Sequence, residues 1–209
     1  NVMRKYTKSN PNQIIYDRSL EIEKDYEKNI FWTLKIKKAL ESNDIIPYYQ
    51  AIYNLQTNKI EKYEALMRLN DSGKIVSPFF FLDIAKKSGQ YLQLTKRMID
   101  CSFEYFKDKD FEFSINFTFQ DIANEEISNY VIEKIKELNI GNRVVFEIVE
   151  SEEIDDFNLI NGFFSTIRKL GCKIAIDDFG SGYSNFEYLI KLDADYIKID
   201  GSLIKDVLV

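Results

Sequence analysis

The sequence holds 209 residues, 45% hydrophobic and 14% aromatic, which is enough to bury a sizeable core and too apolar for a disordered chain. Its net charge of −6 excludes a general nucleic-acid binder, which shows a basic excess or stripe; a small anionic ligand stays compatible where metal ions neutralise the site. The chain has no histidine, so histidine triads, histidine bases and the usual zinc sites are excluded, and any chemistry rests on carboxylates, amides, Lys or Arg.

Residues 1–24 are polar and without a sustained period; Asn10-Pro11-Asn12 reads as a turn and residues 13–16 as a short strand. From Leu20 to Leu40 the apolar positions Ile22, Tyr26, Ile30, Leu34 and Ile36 recur near helical spacing, which predicts a connecting helix within 25–42. It enters the main domain, residues 43–209, around Phe31. Residues 45–55 and 60–69 read as strands joined through Gln56-Thr57-Asn58. Pro78, at a favoured first helical position, starts a helix to Ser88 that Gly89 stops.

A helix over 91–107 follows, then strand 111–117, helix 122–138, strand 143–149, helix 157–170 and strand 173–177. A short helix over 185–191, a strand over 196–200 and a helix start at Ser202 complete the reading. Strands separated by helices of about 10–15 residues mean βαβ units and a parallel sheet, either a barrel or an open doubly wound sheet. Cys101 and Cys172 lack metal-ligand spacing and read as buried free thiols in a reducing compartment, the cytoplasm. No apolar run approaches the roughly 20 residues of a membrane helix, so no membrane contact is expected of this segment. The chain opens on Asn1 without a signal peptide and reads as part of a longer protein, whose parent could carry a membrane anchor.

The polar residues decide between the two sheet types. Side chains alternate faces along a strand. Phe111, Phe113, Ile115 and Phe117 share one phase, and Glu112, Ser114 and Asn116 the other. Likewise Ile174 and Ile176 oppose Ala175 and Asp177, while Ile197 and Ile199 oppose Lys198 and Asp200. Strand 60–69 centres on Glu64, and strand 143–149 carries Glu147. A doubly wound sheet would be apolar on both faces. Polar residues converging at the C-terminal ends of successive parallel strands are instead the active-site arrangement of a TIM barrel.

The donor set then sets the chemistry. Glu64, Asn116, Glu147 and Asp177 are hard oxygen donors suited to Mg²⁺ or Mn²⁺, and several carboxylates at one point need a cation between them. The pair Asp177-Asp178 can serve two ions from one loop, and two divalent ions clamp the oxygens of a phosphoryl displacement. Lys198, one strand on, is placed to steer the attacking water. Asp178-Phe179-Gly180 looks like the kinase magnesium motif, but no Gly-rich loop or catalytic-loop histidine accompanies it, which excludes a kinase. Gly180-Ser181-Gly182-Tyr183-Ser184 reads as a βα loop, a phosphate nest or a lid.

These motifs, in this order, resemble the EAL domain family, phosphodiesterases that linearise cyclic di-GMP to pGpG. Glu64-Ala65-Leu66-Met67-Arg68 resembles the naming signature, and Tyr49-Gln50 the strand before it. Ile115-Asn116-Phe117-Thr118, Glu147-Ile148-Val149-Glu150, Asp177 to Ser184 and Lys198-Ile199-Asp200 resemble the later motifs, over residues 32–209 in all. The resemblance implies a TIM-like (β/α) barrel of EAL type. It implies metal ligation by Glu64, Asn116, Glu147 and Asp177, with Asp178 on a second ion, and catalytic roles for Glu64, Asp178 and Lys198. Gln50 and Arg68 would contact the ligand, Arg68 through a phosphate, and Glu150 would hold the loop beginning at Asp178.

Departures are mild: Ala51 stands where a Pro is usual, Thr118 for a Ser and Val149 for a Thr. A full barrel takes about 250 residues, so the last strands, with a later catalytic Glu and a Gln, are expected to be missing and turnover by this stretch impaired. Residues 1–24 look like the tail of a GGDEF domain, and unpaired strand edges favour association as a homodimer. The competing readings are a non-catalytic cyclic di-GMP receptor and an unrelated metal-dependent TIM-barrel lyase or aldolase.

Overall fold

The computed structural model describes residues 3–5, 14–16, 18–149, 157–180 and 192–205, with side chains from residue 24 onward. Strands β1 (Met3–Lys5) and β2 (Ile14–Tyr16) form a separate antiparallel pair. Helix α1 (Arg18–Glu41) follows. Of the apolar repeat read from the sequence, Tyr26, Ile30 and Leu34 are 66%, 43% and 63% exposed, and only Ile36 among the described side chains is buried. The packed side is Ile36 with Ala39, and Trp32 lies against Phe81 at 6.0 Å between ring centroids. The helix thus packs on the domain through its second half.

Strands β3 (Ile45–Asn54) and β4 (Lys59–Asp71) form an antiparallel hairpin, with Gln50 opposite Glu64. Its turn is local chemistry: the Asn54 carboxamide oxygen accepts from the backbone N–H of Gln56 and Thr57, and Asn58 takes a left-handed φ of 55°. A short strand β5 (Lys74–Val76), unforeseen in the sequence, folds back on β4 through Ser72-Gly73. Both turn residues have positive φ, as a type I′ hairpin requires.

From β4 onward the sheet is parallel: β6 (Glu112–Asn116), β7 (Val144–Val149), β8 (Lys173–Phe179) and β9 (Tyr196–Ile199). The path runs β3-β4-β6-β7-β8-β9, and the sheet does not close among the described residues. The outer layer is α2 (Leu82–Lys87), α3 (Tyr91–Phe106), α4 (Phe119–Ala123), α5 (Glu125–Leu138) and α6 (Phe157–Lys169); α7 (Gly201–Ile204) follows β9. No described helix is long and apolar enough to cross a membrane. Cys101 and Cys172 are free thiols, half-buried and buried.

Two expected helices are each split. Over 122–138, Asn124 (ψ 106°) ends α4 and its side chain caps α5 by accepting from the Ile127 N–H. A capping box between Thr118 and Asp121 starts α4 earlier than the apolar period suggests. Over 78–88, a 3₁₀ turn, Pro78–Phe80, precedes α2 and breaks at Phe81 (φ −132°). The short helix expected over 185–191 lies outside the described residues.

The apolar phase of β6, β7 and β8 packs under the helices, whereas Ile197 and Ile199 of β9 are 50% and 57% exposed. Phe113, Ile115, Phe146, Ile148, Ile174 and Ile176 are all buried to 3% exposure or less. They meet the i, i+3, i+4, i+7 face of α6 (Ile160, Phe163, Phe164, Ile167) and Phe103 and Phe106 of α3. Each such side chain contributes about 1.5–3 kcal/mol by leaving water. The opposite phase is thereby left to polar residues.

The β7 entry has no spare volume. A Cβ on Gly141 would sit 1.9 Å from the Leu170 carbonyl oxygen, a backbone atom that cannot step aside. Gly141→Ala is expected to cost about 1–3 kcal/mol, read as a lowered melting temperature; an unchanged melt would contradict this close approach.

Candidate functional site

The polar phase converges at the C-terminal ends of the parallel strands. Register fixes who meets whom: Glu64 lies beside Ser114, Asn116 beside Glu147, and Val149 beside Asp177. One carboxylate oxygen from each of Glu64, Glu147 and Asp177 falls within 4.8 Å of the others. The Asn116 amide donates to Glu64 Oε1 at 3.3 Å. Lys198 Nζ stands among them, 3.0 Å from Glu64 Oε2, 2.7 Å from Glu147 Oε2 and 3.1 Å from Asp177 Oδ1.

Asp178 is set apart by the backbone. Between the pairs Ile176–Ile197 and Phe179–Ile199, β8 has two residues and β9 has only Lys198. That is a β-bulge, a device that re-aims side chains near sites. Asp178 absorbs it with φ 56°, a conformation that Asp tolerates better than most residues, and its N–H donates to Asp177 Oδ1 at 3.0 Å. Asp178 is exposed beside the cluster and takes no part in the three-carboxylate contact.

The electrostatics follow. Burial pushes the Glu147 carboxyl up, and the Glu64 charge adds to this, while Lys198 and the Ser114 hydroxyl act against it. Burial works against the charged form of Lys198, but its bonds to Glu147 and Glu64 outweigh it and hold its pKa above the ordinary value. Asp178 is raised by burial and then by the neighbouring charges of Asp177 and Asp200. A group of hard oxygens that already houses an ammonium fits a divalent cation in charge and donor type. Glu64, Glu147 and Asp177 could hold it, with the Asn116 amide beside them.

Arg68 and Gln50 lie at the margin. Arg68 lines a neighbouring cavity of about 410 Å³ with Asn116, Tyr91 and Met98; its Nη1 donates to the Met67 carbonyl at 2.7 Å. Gln50 is exposed on the neighbouring strand, opposite Glu64. Glu150 and residues 181–184 of the motif loop lie outside the described residues.

The sequence reading missed a second layer, nearer the strands' N-terminal ends. Glu112 on β6 pairs with Lys62 of β4 at 2.5 Å and with Lys173 of β8, and Tyr196 of β9 bonds Lys173 at 2.9 Å. The signal was available: each of these residues is two or more even steps from a site residue on its own strand.

These features define a class: a parallel α/β sheet carrying an acidic, cation-holding mouth at its strand ends. The EAL domain model matches residues 34–208, and the chain belongs to the EAL domain family. Its fold is accordingly the TIM-like (β/α) barrel of that family, with the sheet not closed over the described residues. It is 32% identical over 208 residues to the cyclic di-GMP phosphodiesterase PdeB of Shewanella oneidensis, covering 95% of this chain and 24% of that protein. It is 28% identical over 216 residues to the cyclic di-GMP phosphodiesterase PdeA of Borreliella burgdorferi, covering 99% and 32%. The EAL domain protein of Listeria monocytogenes EGD-e superposes with a TM-score of 0.75 at 27% identity, covering 85% of this chain and 72% of that one. The chain therefore spans about a quarter to a third of the curated relatives' own length.

Glu112 generates a stability prediction. Its burial raises the carboxyl pKa, but Lys173 and Lys62 outweigh that and hold it below the usual value. A depressed carboxylate contributes stability above its unfolded pKa, about 4.3, and loses it as pH falls through the folded value. Glu112→Gln is expected to cost about 1–3 kcal/mol near pH 7. The gap in melting temperature from the parent should shrink below about pH 4; a gap that stays constant down to pH 3 would contradict the pairing.

Proposed function

We propose that the protein is a metal-dependent phosphodiesterase that hydrolyses cyclic di-GMP to linear pGpG. The observation that carries this reading is the meeting of Glu64, Glu147 and Asp177 within 4.8 Å around a cation-accepting point. The printed names of the Shewanella and Borreliella relatives supply the substrate. Glu64, Asn116, Glu147 and Asp177 would hold a divalent cation, Mg²⁺ or Mn²⁺, with Asp178 placed to serve a second one. When bound, such ions offset phosphodiester charge and make a water acidic enough to attack.

The chain's own residues do the rest. Arg68 grips a phosphate oxygen with its planar, permanently charged guanidinium, and Gln50 contacts the ligand across the hairpin. Lys198 orients the attacking water and offsets charge in the transition state. Water adds to phosphorus in line as one 3′-ester bond breaks, and the leaving 3′-oxygen takes up a proton. Glu150 holds the loop that begins at Asp178. In the parent protein, residues 25–42 connect an upstream sensor or GGDEF domain to the barrel of 43–209, which pairs as a homodimer in the cytoplasm.

Incubating the full-length gene product with cyclic di-GMP and Mg²⁺ or Mn²⁺ should yield pGpG by chromatography. Tight, EDTA-insensitive binding without product would instead assign a receptor. Glu64→Ala should lower the rate by at least about 100-fold through loss of a ligand, and an unchanged rate contradicts its role. Lys198→Ala should lower kcat by about 100-fold while KM moves little, because the lysine acts in the transition state; a change confined to KM would make it a binding group only.

A further inference from the structure

The Lys198 ammonium has three N–H donors, and it contacts three carboxylates, at 2.7, 3.0 and 3.1 Å. Two of these contacts are hydrogen bonds, to Glu64 Oε2 and Glu147 Oε2, and Asp177 Oδ1 adds an ion pair at 3.1 Å. The ammonium is therefore committed chiefly to the acidic cluster. The oxygens it holds, Glu64 Oε2, Glu147 Oε2 and Asp177 Oδ1, belong to the same three side chains whose carboxylates cluster within 4.8 Å. A divalent ion draws such oxygens in to about 2.0–2.1 Å, and its charge repels an ammonium held at the same three carboxylates.

We infer that Lys198 is a resident stand-in for the cation, competing with the first divalent ion for these carboxylates, so that loading the site expels its ammonium. This rests on the reading of Glu64, Glu147 and Asp177 as metal ligands. The backbone accommodates the exchange. Lys198 falls in the interval where the β8–β9 ladder slips, opposite Asp177 and Asp178 rather than in a regular pair. The same competition keeps the three acids from repelling one another while no ion is bound. It also orders events: the donors that Lys198 gives to Glu64 and Glu147 are released to a water once the ion has taken those carboxylates.

The test is Mn²⁺ titration by calorimetry at pH 8 on the parent protein, Lys198→Met and Lys198→Arg. Lys198→Met should bind Mn²⁺ about ten-fold more tightly than the parent, and its melting temperature should be lower in EDTA and rise further with Mn²⁺. Lys198→Arg, which keeps the charge, should show no such tightening. Equal or weaker binding by Lys198→Met, with the parent still binding, overturns the competition and leaves the metal reading standing. No Mn²⁺ binding by either protein overturns both. A measurement that needs no variant reads the same exchange: acylation of Lys198 by an amine-reactive ester, followed by peptide mass spectrometry. Labelling should rise several-fold on adding Mn²⁺, and unchanged or reduced labelling overturns the proposal.

Discussion

Successive strands deliver like charges to one point, and a cation at that point is what allows them to stand there. Two unit charges 4 Å apart in a protein interior interact by about 4 kcal/mol at an effective dielectric of 20, so three carboxylates within 4.8 Å would dominate the local energetics if left alone. Lys198 answers this from β9 with contacts to all three. The parallel register, the bulge at Asp177-Asp178 and the separation of apolar and polar phases all serve to bring those groups together.

The polar face of the sheet is organised in two tiers of opposite balance. Nearer the strands' N-terminal ends, one carboxylate, Glu112, is shared by two lysines, Lys62 and Lys173. At the C-terminal mouth, one lysine, Lys198, is shared by three carboxylates. On β8 only the small, buried Ala175 separates the Lys173 tier from Asp177. The first tier ties β4, β6 and β8 together with partners that saturate one another, a structural task. The second keeps more acids than one ammonium neutralises in full, which is the composition of a place that takes up further positive charge.

Much of this was legible in the sequence because strand periodicity is so strict. Alternation in 111–117, 173–177 and 196–200 separates Phe113, Ile115 and Ile176 from Asn116, Asp177 and Lys198, and the structure places them on opposite faces. The same rule puts Glu112, Lys173 and Tyr196 on the polar face, but their pairing depends on cross-strand register, which alternation within one strand does not carry. Other features depend on context that a periodic count does not carry. Tyr26, Ile30 and Leu34 repeat as a buried face would, yet α1 turns Ile36 and Ala39 to the core because Phe81, Leu69 and Leu94 lie on that side. Asn124 interrupts a continuous apolar period by satisfying backbone donors of α5, and β5 exists because Ser72-Gly73 can adopt two successive positive φ values.

The central claim is that Glu64, Asn116, Glu147 and Asp177 grip one divalent ion. Crystals of the protein soaked in MnCl₂ and measured for manganese anomalous scattering test it directly. The account predicts a strong peak within about 2.0–2.3 Å of oxygens from those side chains, with Lys198 turned out of the cluster. A crystal that takes up manganese elsewhere, while Lys198 stays among the three carboxylates, would contradict it.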